Sequence, residues 1–414
     1  MRMKMVHMKK TAVITAVFVL SISLIACSAN SGSVPANGNP TDSGSQKAGA
    51  VKSSKVEHPP WYQKPSEERL KLAQEDVIST ETMASGPRGK AAFPASKIVI
   101  TDEQLQKIKA GNYKAAIAMG FSGDDWSEQQ VAGLKTEFKR LGIEVIAQTS
   151  ADFKDSKQIA DIEAALMKKP DILVSIPLNA QTQAAVYKKA AESGTKVVFI
   201  DQPVDGMDPG KDYVSVVSSD NFGLGMQIAD ELAKAIGNQG DVAALYFAPD
   251  FYVTNVRYEG FIARLEAKHP NINLVAVAGF QDWNTTQDVT AGLLTKYPNL
   301  KGIYASWDVP AMGAISAAKI SGKSPSDFAI VTEGVGHEVA LNMAQNGFVK
   351  GIGAYLPYDQ GVAEAALGAL SLIGAEVPPF VAVPAPPVNR SNLAESFQRI
   401  YHRELPQDIA NELK

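Results

Sequence analysis

From Tyr113 onward, short apolar runs alternate with longer stretches in which apolar positions return every three to four residues. The runs predict buried strands at Ala115–Met119, Val145–Ala147, Ile172–Ile176, Val197–Ile200 and Val214–Val217. The stretches between them predict helices over Glu128–Leu141, Ile159–Lys168 and Thr182–Ser193, with Gly142 and Gly194 as stop signals. The alternation then repeats. Strands are expected at Val242–Tyr246, Leu274–Ala278, Gly302–Ala305, Ala329–Thr332 and Ile352–Tyr355. Helices are expected over Leu224–Ile236, Asn255–Lys268, Thr286–Thr295, Met312–Lys319, Glu338–Gln345 and Asp359–Ile373. Strands that are apolar almost throughout are covered on both faces, and strand–helix alternation builds parallel sheets. Two such blocks, each near the usual size of a domain, predict an α/β fold of two doubly wound parallel-sheet lobes.

Ahead of this body lie three segments of different character. Lys4, Lys9 and Lys10 precede an apolar run, Ala12 to Ala26, shorter than the ~20 residues of a membrane span. This is the pattern of a secretion signal, residues 1–26. Its end, Leu24-Ile25-Ala26-Cys27, resembles a lipobox, at which bacteria attach lipid to the cysteine and cleave before it. The alternative is a signal-anchor helix with an incidental Cys27. Residues 27–58, mostly Ser, Gly, Asn, Pro and Ala, read as a flexible linker. Residues 59–111 form an N-terminal extension, with helices expected at Ser66–Ile78 and Thr101–Ala110 and a loop at Met83–Ser96. The extension is expected to pack on the body, and its pattern names no chemistry.

Composition narrows the classes. The chain has 414 residues, and Cys27 is its only cysteine, so no internal disulfide supports the fold. The signal carries Arg2, Lys4, Lys9 and Lys10 and no acid, so its removal takes the formal net charge from -4 to about -8. Such a chain lacks the basic face that nucleic-acid binding requires. With no second apolar run of spanning length, membrane attachment would rest on the lipid alone.

In doubly wound sheets, ligands sit beyond the carboxyl ends of the strands. Polar and aromatic residues are dense there: Asp124, Trp126 and Ser127 after the first strand, and Asp201 after the fourth. Arg257, Trp283, Trp307, Glu333 and Tyr355 follow strands of the second block. The set suits sugars, whose C–H faces stack on aromatic rings and whose hydroxyls pair with carboxylates and guanidinium groups. Each residue has a plainer reading as well. The tryptophans can plug core edges; Asp124 or Asp125 can cap the next helix; Arg257 can pair with Glu259 or Asp250; Asp201 can simply turn the chain.

Longer stretches sharpen this. Among them are Asp171-Ile-Leu-Val-Ser-Ile-Pro177, Lys196-Val-Val-Phe-Ile-Asp201 and Val217-Ser-Ser-Asp-Asn221. Further ones are Arg257-Tyr-Glu-Gly-Phe261, Leu293-Leu-Thr-Lys-Tyr-Pro298, Trp307-Asp-Val-Pro-Ala-Met-Gly-Ala314 and Ala354-Tyr-Leu-Pro-Tyr-Asp-Gln-Gly361. With these, Tyr113 to about Asn389 resembles the ribose-type, type I periplasmic binding proteins, the sugar receptors of ABC importers.

The resemblance implies lobes of residues 112–218 plus 356–384 and 219–355 plus 385–414, joined by a hinge of three crossings. It implies hydroxyl-binding roles for Asp201 and Arg257, and polar or stacking roles near Asp124, Trp126 and Ser127. Trp307 stands where the family usually has Asn, Tyr355 where it often has Gln, and Glu333 near a usual Asp. These departures add aromatic surface and turn the expectation from ribose to a hexose, glycoside, polyol or modified sugar. The implied protein is an extracytoplasmic, lipid-anchored, monomeric receptor, periplasmic or at the cell surface, that passes a sugar or polyol to an ABC permease. No enzyme activity, cofactor, metal or nucleic acid is expected. A receptor for a sugar-like signal on the same fold is the alternative. An enzyme using His337-Glu338 is a further rival, although the chain contains no Gly-x-Ser-x-Gly elbow and no His-Glu-x-x-His.

Overall fold

The apolar runs assemble into two sheets in the computed structural model, which describes residues 56–76, 86 and 92–414. The expected signal segment, Cys27 and all of the linker before residue 56 lie outside the described residues. In chain order the extension gives α1 (Glu67–Leu72), β1 (Phe93–Pro94) and α2 (Asp102–Ala110). The first block gives β2 (Lys114–Met119), α3 (Asp125–Leu141), β3 (Glu144–Ser150), α4 (Asp155–Leu166), β4 (Ile172–Ser175), α5 (Ala184–Glu192), β5 (Lys196–Ile200) and β6 (Ser215–Ser219). The second gives α6 (Asn221–Ala235), β7 (Gly240–Phe247), α7 (Tyr252–Lys268), β8 (Ile272–Phe280), α8 (Thr286–Lys296), β9 (Gly302–Ala305), α9 (Asp308–Ile320), β10 (Ala329–Glu333), α10 (His337–Ala344) and β11 (Val349–Gly353). The chain closes with α11 (Pro357–Leu372), β12 (Phe380–Val383), β13 (Pro387–Val388), α12 (Leu393–Tyr401) and α13 (Gln407–Glu412).

One sheet runs β1-β12-β6-β5-β4-β2-β3 and is parallel throughout; the other runs β13-β11-β10-β9-β7-β8, with only β11–β13 antiparallel. On β5, Val197 and Phe199 enter the core beneath α4 and α5, while Val198 and Ile200 enter the core beneath α3 and α11. Neighbouring residues thus bury on opposite faces, which is why the strand is a continuous apolar run. The chain passes between the sheets three times: between β6 and α6, between β11 and α11, and between β12 and β13.

Glycines set the helix spacing in both lobes. Gly225 on α6 lies against the Arg257 carbonyl of α7, and Gly260 on α7 lies against the Phe222 carbonyl. A Cβ at Gly225 would come within 2.0 Å of that oxygen. Gly133 and Gly361 make the equivalent reciprocal contact between α3 and α11.

Several elements differ from the expected pattern. The final strand of the second block lies at Val349–Gly353, not Ile352–Tyr355, because Lys350, Gly351 and Gly353 interrupt its apolar run. β12, β13, α12 and α13 occupy a tail to which the pattern assigned no element. The extension is structured as well. Ser66 caps α1, Thr101 and Gln104 form the capping box of α2, and β1 adds to the first sheet beside β12. No helix among the described residues is long and apolar enough to cross a membrane.

Candidate functional site

The carboxyl ends of both sheets open onto one cleft of about 1160 Å³. Asp124, Trp126, Asp201, Arg257, Trp283, Trp307 and Tyr355 line it; Ser127 and Glu333 do not.

Asp201 directly follows β5 with φ of 63°, a left-handed conformation that carries strain in most residues other than Gly. The turn reading therefore applies to this aspartate in addition to its cleft position. Its Oδ1 accepts from Ser218 Oγ at 2.9 Å and Gln360 Nε2 at 3.1 Å. Burial pushes its carboxyl pKa up, against the pull of Arg257 and these two donors. Beside it, Gln202 donates to the Pro177 carbonyl at 2.9 Å and accepts from the Tyr252 N–H of the other lobe at 3.3 Å.

Arg257 reaches the cleft from α7. Its Nη1 lies 2.6 Å from Glu333 Oε2, its Nε donates to Asn221 Oδ1 at 2.8 Å, and its guanidinium sits 4.8 Å above the Tyr355 ring. The pairings considered from sequence do not form: Glu259 pairs with Arg69, and Asp250 accepts from Asn255. Burial works against the Arg257 charge, but Glu333 foremost, then Tyr355 and Asp201, raise its pKa and hold it charged.

Glu333 is fully buried at the end of β10 and accepts from Arg257 and the Tyr304 hydroxyl. It therefore anchors Arg257 from behind, where the sequence had suggested a ligand contact. Burial and the Glu333 carboxylate raise the Tyr304 pKa, keeping its hydroxyl proton in place. Ser127 is also buried: its N–H donates to Asp124 Oδ1 at 2.7 Å and its hydroxyl to the Asp124 carbonyl at 3.1 Å. Asp124 is thus both the α3 cap and a cleft residue.

Aromatic rings also line the cleft. Phe121 stacks on Trp126 at 5.5 Å and on Phe153 at 4.6 Å, and Phe153 meets Trp283 of the other lobe at 5.4 Å. Trp307 packs against Phe247 and Phe280, each at 5.3 Å. Beside Trp307, burial and then the nearby Asp124 and Asp125 carboxylates push the Asp308 pKa up to about 7.

Sequence reasoning did not select Phe121, Phe153, Gln202 or Asp308, although all four line the cleft. Phe121, Gln202 and Asp308 adjoin or lie in the same strand-end loops as selected residues. Phe153 follows β3 and was open to the same strand-end rule. The extension was credited with no chemistry, yet Trp61, Tyr62, Lys64 and Arg69 line the cleft. His337 begins α10 and pairs with Asp408 at 2.7 Å, away from the cleft lining. Among the described residues, no group of three or more His, Cys, Asp or Glu is arranged to hold a metal.

Comparison with known proteins bears on the fold that holds this cleft. A ribose import binding protein of Bacillus subtilis (strain 168) is 29% identical over 193 residues, 46% of this chain and 60% of that protein. The D-allose-binding periplasmic protein of Escherichia coli (strain K12) is 25% identical over 256 residues, 60% of this chain and 80% of that protein. The chain thus spans less than two thirds of the ribose import binding proteins it matches, 60% of the Bacillus subtilis one and 63% of the Escherichia coli one. An ABC transporter solute binding protein from Agrobacterium vitis, solved with α-D-tagatopyranose, shares the fold at TM-score 0.64 and 23% identity, over 70% of this chain and 99% of that one. Residues 101–376, two thirds of the chain, match the periplasmic binding protein domain, and the two doubly wound lobes accord with that match: the chain belongs to the periplasmic binding protein family.

Proposed function

We propose that this chain is a solute receptor that captures a sugar between its lobes and passes it to an ABC importer, without chemical turnover. The observation that carries the reading is the convergence of Asp201 and Arg257 on one cleft from different lobes, among half-buried aromatic rings. A carboxylate and a guanidinium pair with ring hydroxyls, and the rings accept the apolar sugar face. The relatives described above, named for ribose and D-allose, support the same class of ligand.

In this reading residues 112–218 plus 356–384 and 219–355 plus 385–414 move as two lobes about the three crossings. A ligand that contacts both lobes favours the closed form by its differential affinity. Cys27 carries the lipid, the linker serves as the leash up to residue 55, since His58 is already held on the Tyr258 hydroxyl, and a monomer delivers its ligand at the membrane surface outside the cytoplasm. A thermal-shift screen of pentoses, hexoses, polyols and glycosides tests the ligand class, since binding to the folded state alone raises the melting temperature. Mass spectrometry of the membrane-bound protein tests the anchor: Cys27→Ala releases the chain from the membrane fraction if the lipid holds it there. A sugar-triggered response through a sensor kinase, with uptake unaffected by deletion, would favour the signalling alternative.

A further inference from the structure

Residues 56–76 lie ahead of the family match at 101–376, yet they wall the cleft. They are firmly seated on the second lobe. The buried Arg264 donates to the carbonyls of Ala73 and Glu75, the former at 2.8 Å. Arg69 pairs with Glu259 at 2.8 Å and lies 5.0 Å above the Phe222 ring. His58 bonds the Tyr258 hydroxyl at 2.9 Å. Trp61 donates to the Ala248 carbonyl at 3.2 Å and stands edge-on to Tyr246 and Tyr258.

This seating leaves the half-buried rings of Trp61 and Tyr62, and the exposed Gln63 and Lys64, lining the same cleft as Asp201 and Arg257. Their place is distinct from the strand-end aromatics. The Phe247 ring belongs to the Trp307 group, whereas the carbonyl of the next residue, Ala248, receives Trp61. The extension therefore adds to the lining beside the β7–α7 loop. Amphipathic rings with flexible donors beside them are again sugar-binding chemistry. The cleft volume, about 1160 Å³, also exceeds the ~300–1,000 Å³ usual for small-molecule sites.

We propose that residues 61–69 form a second subsite, so that the preferred ligand is a disaccharide or larger glycoside whose first ring lies at Asp201 and Arg257. The proposal rests on the sugar reading above. It is tested by calorimetry on the full mature chain with glucose, galactose, maltose, cellobiose, lactose and melibiose. The expected result is one disaccharide binding at least about tenfold more tightly than its component monosaccharides. Trp61→Leu should then weaken that disaccharide roughly tenfold, the scale of a lost aromatic stack with its buried area, and change monosaccharide binding less than about twofold. Gln63→Ala with Lys64→Ala, both exposed, should act in the same direction without disturbing the packing, and melting temperatures verify that each variant folds. Monosaccharides binding as tightly as every disaccharide, or a disaccharide preference that none of these substitutions alters, would overturn the subsite while leaving the sugar reading intact. No binding by either series overturns the subsite, and if the wider screen of pentoses, polyols and glycosides also gives no thermal shift, the sugar reading falls with it.

Discussion

Replacing Arg257 by Met separates two roles that the structure gives this residue. The substitution keeps a long side chain but removes the only cation within 4.0 Å of Glu333 among the described residues. Glu333 is fully buried, and its other hydrogen-bond donor is the Tyr304 hydroxyl. Breaking a buried ion pair by removing one partner costs about 3–5 kcal/mol, because the remaining charge stays desolvated. Exposed pairs here should behave differently: Lys107–Glu103, with both side chains largely in solvent, is screened by water and contributes little. Arg257→Met is thus expected to lower the urea midpoint markedly as well as to abolish ligand binding. Adding Glu333→Gln neutralises the stranded carboxylate and retains an acceptor for Tyr304. The double variant should recover most of the lost stability and none of the binding. Urea denaturation and calorimetry with a sugar bound by the wild-type chain read the two effects separately. A double variant no more stable than Arg257→Met would refute the buried-pair argument, and wild-type affinity in the double variant would refute the role of Arg257 in binding.

Other substitutions probe the neighbouring groups. Asp201→Asn preserves a side chain tolerant of the left-handed backbone and removes the carboxylate; affinity should fall more than about tenfold with stability changed by less than about 1 kcal/mol, as read by calorimetry and melting. Asp201→Ala is the less clean test, since alanine adds backbone strain of ~1–2 kcal/mol at φ of 63°. Gly225→Ala drives a methyl group into the Arg257 carbonyl and should displace α7, costing about 1–3 kcal/mol and weakening ligand binding by moving Arg257, although residue 225 itself does not line the cleft. For Asp308, a folded pKa of about 7 against an ordinary 3.8 means that the folded chain keeps a proton which the unfolded chain releases. Its contribution to stability therefore declines as pH rises from about 4 to 7, and Asp308→Asn should flatten the fall in melting temperature between pH 5 and 8. His58, whose pKa burial lowers, acts in the opposite sense by disfavouring the folded state as pH falls below about 6.5, and it remains in both proteins as a common background.

Local pattern was sufficient where each residue's burial is decided by its own element. β2, β4 and β5 are covered on both faces, so almost every residue had to be apolar and the strands were legible as runs. The α2 capping box and the glycine at the end of α3 are equally local signals. The strand-end rule gathered Asp124, Trp126, Asp201, Arg257, Trp283, Trp307 and Tyr355 around one cleft without any coordinates. It could not say which polar groups face the ligand. Glu333 and Arg257 are 76 positions apart, and only the fold, which brings Arg257 of α7 to the end of β10, makes the glutamate a partner of the arginine rather than a contact of its own. The glycine-interrupted β11 lacks an unbroken apolar run because α6 packs closely on Gly351 and Gly353, an effect of a neighbouring element. The extension is the clearest case. Trp61, Tyr62 and Arg69 look like an ordinary polar preface in the sequence, since nothing local reveals that Tyr258, Glu259 and Arg264 of α7 are their partners and those of the turn that follows. The sequence by itself determined the strands, the helices and the end of the sheets where the site lies. The tertiary structure alone decided which charges pair beneath that site and which distant segment completes its wall, because those depend on contacts between residues far apart in the chain.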